Sequence, residues 1–88
     1  MTTRKSMEEF LYQCQQTVEF AQEQFIEDLK QGHFHDQEYS EAQQRLEDQY
    51  NELMAVYRSA NAEQRDRLHR MRLQIQSLQN EMTLLDHH

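Results

Sequence analysis

The run His33-Phe34-His35-Asp36 sets two imidazoles and a carboxylate within four residues. Zinc and nickel accept both donor types. A tight site needs a third or fourth ligand at a fixed distance, and nothing adjacent in the sequence supplies one. His69 would serve if the fold brought it close. The competing reading of the run is a polar loop between helices. A second cluster is Arg65, His69 and Arg72, spaced by four and three residues and so on one side of a helix. Arginines grip phosphates, and Arg58 and Arg67 add charge nearby. Glu63 and Asp66 interrupt the cluster, which also reads as a solvated face paired to acidic helices. Tyr50 and Tyr57 are candidate aromatic anchors beside it.

The remaining reactive types point away from catalysis. Cys14 is the single cysteine, so no internal disulfide forms, as suits a reducing cytosol. It sits on an apolar stripe among glutamines, whereas a reactive thiol needs a positive, partly exposed setting; it reads as a small core residue. Glu8, Glu19, Glu23 and Glu27 do not make a carboxylate metal centre. Such centres in bundles use Glu-x-x-His, and no glutamate in the chain has a histidine three residues on. No serine–histidine–acid set, glycine loop or paired-cysteine motif is present.

What must position these side chains is a set of helices. The chain has no proline and one glycine, and glutamine and glutamate dominate its polar positions. These are good helix formers, and a sheet protein would need more turn residues. Ser6 and Glu9 have the spacing of a capping box that opens helix one, with Met1 to Lys5 frayed ahead of it. Met7, Leu11, Cys14, Val18, Ala21 and Phe25 then alternate steps of four and three, a heptad stripe. Phe10, Ile26 and Leu29 widen it. Gly32 closes the helix, because glycine tolerates the left-handed conformation at a helix end. Asp36 is placed to cap helix two, whose stripe is Tyr39, Ala42, Leu46, Tyr50, Leu53 or Met54, and Tyr57. The step from Leu46 to Tyr50 is four where three was due, a stutter. Helix three repeats without a break through Leu68, Met71, Ile75, Leu78, Met82 and Leu85.

The stretch from Val56 to Asp66 decides the architecture. A continuous helix is compatible with its alanines and its lack of Gly and Pro. It would make a helical hairpin with one long C-terminal helix, forced to dimerise to hide Leu68 to Leu85. Against this, the apolar pattern lapses between Tyr57 and Leu68. Asn61 is a strong N-cap residue, and Gln64 stands at the capping-box position. A turn there yields three helices of similar length, about 6–31, 37–58 and 62–85, in one domain spanning 1–88. The expected fold is therefore all-α, an antiparallel up-down-up three-helix bundle.

The formal net charge is −7, from 9 basic and 16 acidic residues. This disfavours nucleic acid and anionic membrane as partners. The balance is uneven: residues 1–57 hold four basic and twelve acidic side chains, and residues 58–88 hold five and four. No apolar stretch is long enough for a signal peptide or a membrane span, which leaves the cytoplasm as the expected location. His87 and His88 carry no assigned role.

Three segments, HDQEYSEAQ (His35 to Gln43), SANAEQRDRLHRMRLQIQ (Ser59 to Gln76) and QNEMTLLDH (Gln79 to His87), resemble a family of short, uncharacterised cytosolic proteins of Bacillus-type spore formers. The resemblance covers nearly the whole chain. It implies a Gram-positive origin and a sporulation context, and it brings no catalytic or binding residues with it.

The residues thus describe a small non-enzymatic structural or protein-interaction module, without cofactor or small-molecule substrate. It would bind a protein partner, or itself, through Arg65, His69 and Arg72 with Tyr50 and Tyr57. The alternative is a metal-responsive module built on His33, His35 and Asp36.

Overall fold

A computed structural model describes residues 4–32 and 37–86. They form α1 (Arg4–Gln31), α2 (Gln37–Ser59) and α3 (Ala62–Asp86). His33, His35 and Asp36, and with them the expected cap of α2, lie outside the described residues.

Each helix exists because its apolar residues recur on one face, and each face is buried against the other two. On α1, Met7, Cys14, Val18 and Ala21 are buried, with Leu11 and Phe25 half-buried. On α3, Leu68, Met71, Ile75, Leu78 and Met82 are buried. Burying each Leu or Ile contributes about 1.5–3 kcal/mol relative to leaving it in water.

Cross-helix hydrogen bonds fix direction and register. Gln13 meets Glu52 and Thr17 meets Gln49, so α1 and α2 run antiparallel. Tyr39 Oη donates to the Met82 carbonyl at 2.7 Å, tying the start of α2 to the end of α3. One groove is lined by Gln15 and Gln22 of α1 and by Gln74 and Glu81 of α3, which makes those two helices parallel. The bundle measures 43 × 19 × 16 Å. Its long axis matches a single helix of 28 residues, about 42 Å at 1.5 Å per residue.

The chain turns at Ala60 and Asn61. The Asn61 side chain accepts from the Gln64 amide at 2.9 Å, and Gln64 Oε1 accepts from the Asn61 amide at 3.1 Å. This reciprocal pair satisfies two amides that a helix start otherwise leaves unpaired. The hairpin with one long C-terminal helix is thereby excluded. At the other connection Gly32 takes φ +73° and its amide reaches the Asp28 carbonyl at 2.7 Å. Open space surrounds the position of a Cβ there, so backbone conformation alone asks for glycine.

Three local expectations need correction. First, α1 begins at Arg4, which puts Ser6 inside its first turn and not ahead of it. Second, Ile26 and Leu29 do not widen the core stripe: they are 48% and 46% exposed. Third, α2 has no stutter. Its buried residues are Tyr39, Ala42, Leu46, Gln49 and Leu53, an unbroken alternation of three and four. Gln49 occupies the seam position, and Tyr50 sits half-buried beside it.

Candidate interaction surface

The polar side chain at that seam position organises the middle of the α1–α2 contact. Thr17 Oγ1 donates to Gln49 Oε1 at 2.8 Å, with the Gln13 carbonyl 3.1 Å away as its other acceptor. Gln13 Nε2 donates to Glu52 Oε2 at 3.2 Å just outside. Cys14 lies against this layer. Its thiol is pushed up from 9.0 to about 12, first by burial and then by the Glu52 carboxylate, against the opposing effect of a hydrogen bond with Gln49. A thiol so poised stays protonated and is a packing group, not a nucleophile.

The basic cluster lies between α2 and α3 beside the turn. Arg65 Nε donates to the Tyr57 carbonyl at 3.1 Å, and its Nη2 donates to the Arg58 carbonyl at 3.2 Å. These are carbonyls at the α2 C-terminus, where a helix carries partial negative charge and lacks acceptor partners. The guanidinium also lies 5.1 Å from the Tyr57 ring centroid, within cation–π range. Arg65 thus closes one helix from the first turn of the next. Arg65 meets carbonyls and a ring where pairing with acidic side chains of helices one and two is the expectation.

One turn further along α3, Arg72 Nη2 lies 2.8 Å from His69 Nδ1. A guanidinium can only donate, so Nδ1 is the acceptor in this pair. Arg72 Nε is buried with no hydrogen-bond partner among the described residues. Tyr57, Arg65, Asp66, His69 and Arg72 line one open groove of about 570 Å³. Tyr50 is not among the lining residues. It stands on the same side, where its hydroxyl accepts from Gln76 Nε2 at 3.5 Å. Arg67 turns to the other side of α3, into a groove shared with Met7 and Asn61. Arg70 pairs with Asp66 at 3.1 Å, both exposed.

His69 does not approach the end of α1 or the start of α2. It lies 13 residues along α3 from Met82, which Tyr39 bonds at the start of α2, or about 20 Å of helix. Among the described residues no group of three or more His, Cys, Asp or Glu could hold a metal ion.

The sequence patterns quoted above have a wider counterpart. The chain belongs to the DUF2524 family. The match to this family, described as a protein of unknown function, covers residues 1–84. The chain is 52% identical over 84 residues to the "Uncharacterized protein YtzC" of Bacillus subtilis (strain 168), covering 96% of this chain and 93% of that protein. The resemblance to a Bacillus family is thus borne out. No solved structure is significantly similar. Among the described residues no helix is long and apolar enough to cross a membrane.

Two features escaped the reading of residues alone. Gln49 was legible as the heptad position three residues after Leu46, but its polarity hid it. The role of Arg65 at the α2 terminus had no linear signal, because it depends on the turn geometry.

Proposed function

We propose that this chain is a small, cytoplasmic, non-enzymatic interaction module with coiled-coil-like helices, and that it binds a protein partner through the α2–α3 face. The observation that carries this is the convergence of Tyr57, Arg65, His69 and Arg72 on one groove. Tyrosine and arginine are the residue types that dominate binding energy at protein interfaces. Here Arg65 and Arg72 are already held by bonds to Tyr57, Arg58 and His69, so less conformational freedom is lost on docking. The partner segment would present carboxylates to the arginines and an apolar side chain to Tyr57. The non-enzymatic reading is supported by a thiol kept protonated and by a groove open to solvent.

The test is a comparative pull-down with wild type and a His69→Ala/Arg72→Ala variant. Arg65 is left in place because it also secures the turn. Partners captured by wild type should be lost with the variant while its helical circular dichroism is unchanged. Retention of every partner overturns the assignment.

A further inference from the structure

The exposed large apolar side chains are unevenly distributed. Tyr12, Ile26 and Leu29 lie on α1, and Leu73 and Leu84 on α3; among the described residues α2 exposes none. All five share one face. The α1–α3 groove is lined by Gln15 and Gln22 and, across from them, by Leu73, Gln74 and Ser77. Tyr12 is three residues before Gln15, Ile26 is four after Gln22, and Leu29 is seven after it. Leu84 is seven after Ser77. Helical spacings of three, four and seven return to the same side. Tyr12 and Leu84 are 67% and 69% exposed, so the bundle presents a long face whose apolar groups nothing among the described residues covers.

We propose that this α1–α3 face is the contact surface of a homodimer, with the second copy lying antiparallel across it. Size supports a stable pair. A face of 43 × 19 Å is close to the ~800 Å² per partner of a standard interface. Charge selects both partner and direction. The register places residues 4–17, 49–59 and 62–76 in one half of the bundle, and those segments hold seven basic residues and five acidic. The helices of the other half hold two basic and ten acidic. A parallel pair would set the two acidic halves side by side, and like charges in contact oppose association. An antiparallel pair sets each acidic half against a basic one. Tyr12 and Ile26 are each seven residues from Glu19, near the middle of α1, so reversal brings Tyr12 of one copy over Ile26 of the other. In that register Glu8 faces Lys30.

The experiment is sedimentation equilibrium over a wide concentration range. Wild type should approach twice the 10.8 kDa chain mass. An Ile26→Glu/Leu73→Glu variant should return to the single-chain mass, with wild-type helix content because both residues are exposed. A wild type that stays at single-chain mass at every concentration, or a dimer that survives both substitutions, overturns the proposal. Orientation is read separately. A Cys14→Ala/Tyr12→Cys/Ile26→Cys variant should oxidise to a covalent dimer. Failure of that variant to cross-link, while it still sediments as a dimer, overturns the antiparallel arrangement.

Discussion

At the scale of single residues, the core holds a titratable group whose burial has a thermodynamic signature. Cys14 is fully buried and its thiol is pushed up to about 12 from 9.0, first by burial and then by Glu52. Above pH 9 the unfolded chain releases this proton while the native state keeps it. The unfolded state then binds fewer protons, so this contribution to stability is complete below pH 9 and is lost as pH rises from 9 toward 12. Urea denaturation at pH 7 to 11 should show wild type losing stability faster above pH 9 than Cys14→Ala. Parallel pH profiles for the two proteins would remove the claim. Arg65 shows another residue-scale lesson. Its types and spacing suggested a recognition group, yet three of its contacts serve the turn itself.

At the scale of elements, the α2–α3 turn is the least obvious and most consequential local structure. No glycine or proline marks it. It is set by the Asn61–Gln64 pair, by Ser59 Oγ donating to the Val56 carbonyl at 3.2 Å, and by Arg65 across the gap. Removing an N-cap side chain costs about 1 kcal/mol, which in a domain of this size lowers Tm by about 4–8 °C. Asn61→Ala should show that drop in thermal circular dichroism, and Asn61→Gly should show much less of it. Equal Tm values for wild type and Asn61→Ala would mean that Arg65 and packing hold the turn alone. This turn was legible as an N-cap preceding a capping-box glutamine where the apolar stripe lapses. The stutter expected in α2 is absent for a physical reason. Hydropathy favours Tyr50 as the seam residue, but helix geometry keeps the 3–4 alternation and buries Gln49, which Thr17 then satisfies.

At the scale of the molecule, the helices are held in register by a mix of apolar packing and a few polar ties. The Thr17–Gln49 bond is one such tie, 4% exposed at Gln49. Buried polar groups at seam positions commonly specify register at some cost in stability. Gln49→Leu should therefore leave the urea midpoint equal to wild type or raise it, since Thr17 retains the Gln13 carbonyl as acceptor and the change in stability stays within about 1 kcal/mol. Its amide NMR spectrum should broaden or double as alternative registers become populated. A single sharp set of peaks would show that apolar shape alone fixes the pairing. The proposed homodimer belongs to this scale too, since only with all three helices in place does the α1–α3 face differ from the others.

Helicity, the three apolar stripes, the glycine stop and the turn at Asn61 were set by the linear order of residues, because helix periodicity and capping are local: each depends on neighbours within about four positions. Burial of Gln49, exposure of Ile26 and Leu29, the capture of α2 carbonyls by Arg65, and the gathering of seven basic residues at one end were decided by tertiary packing. Each of those requires knowing which helix lies beside which, and in what direction, and that information exists only once the stripes have closed on one another.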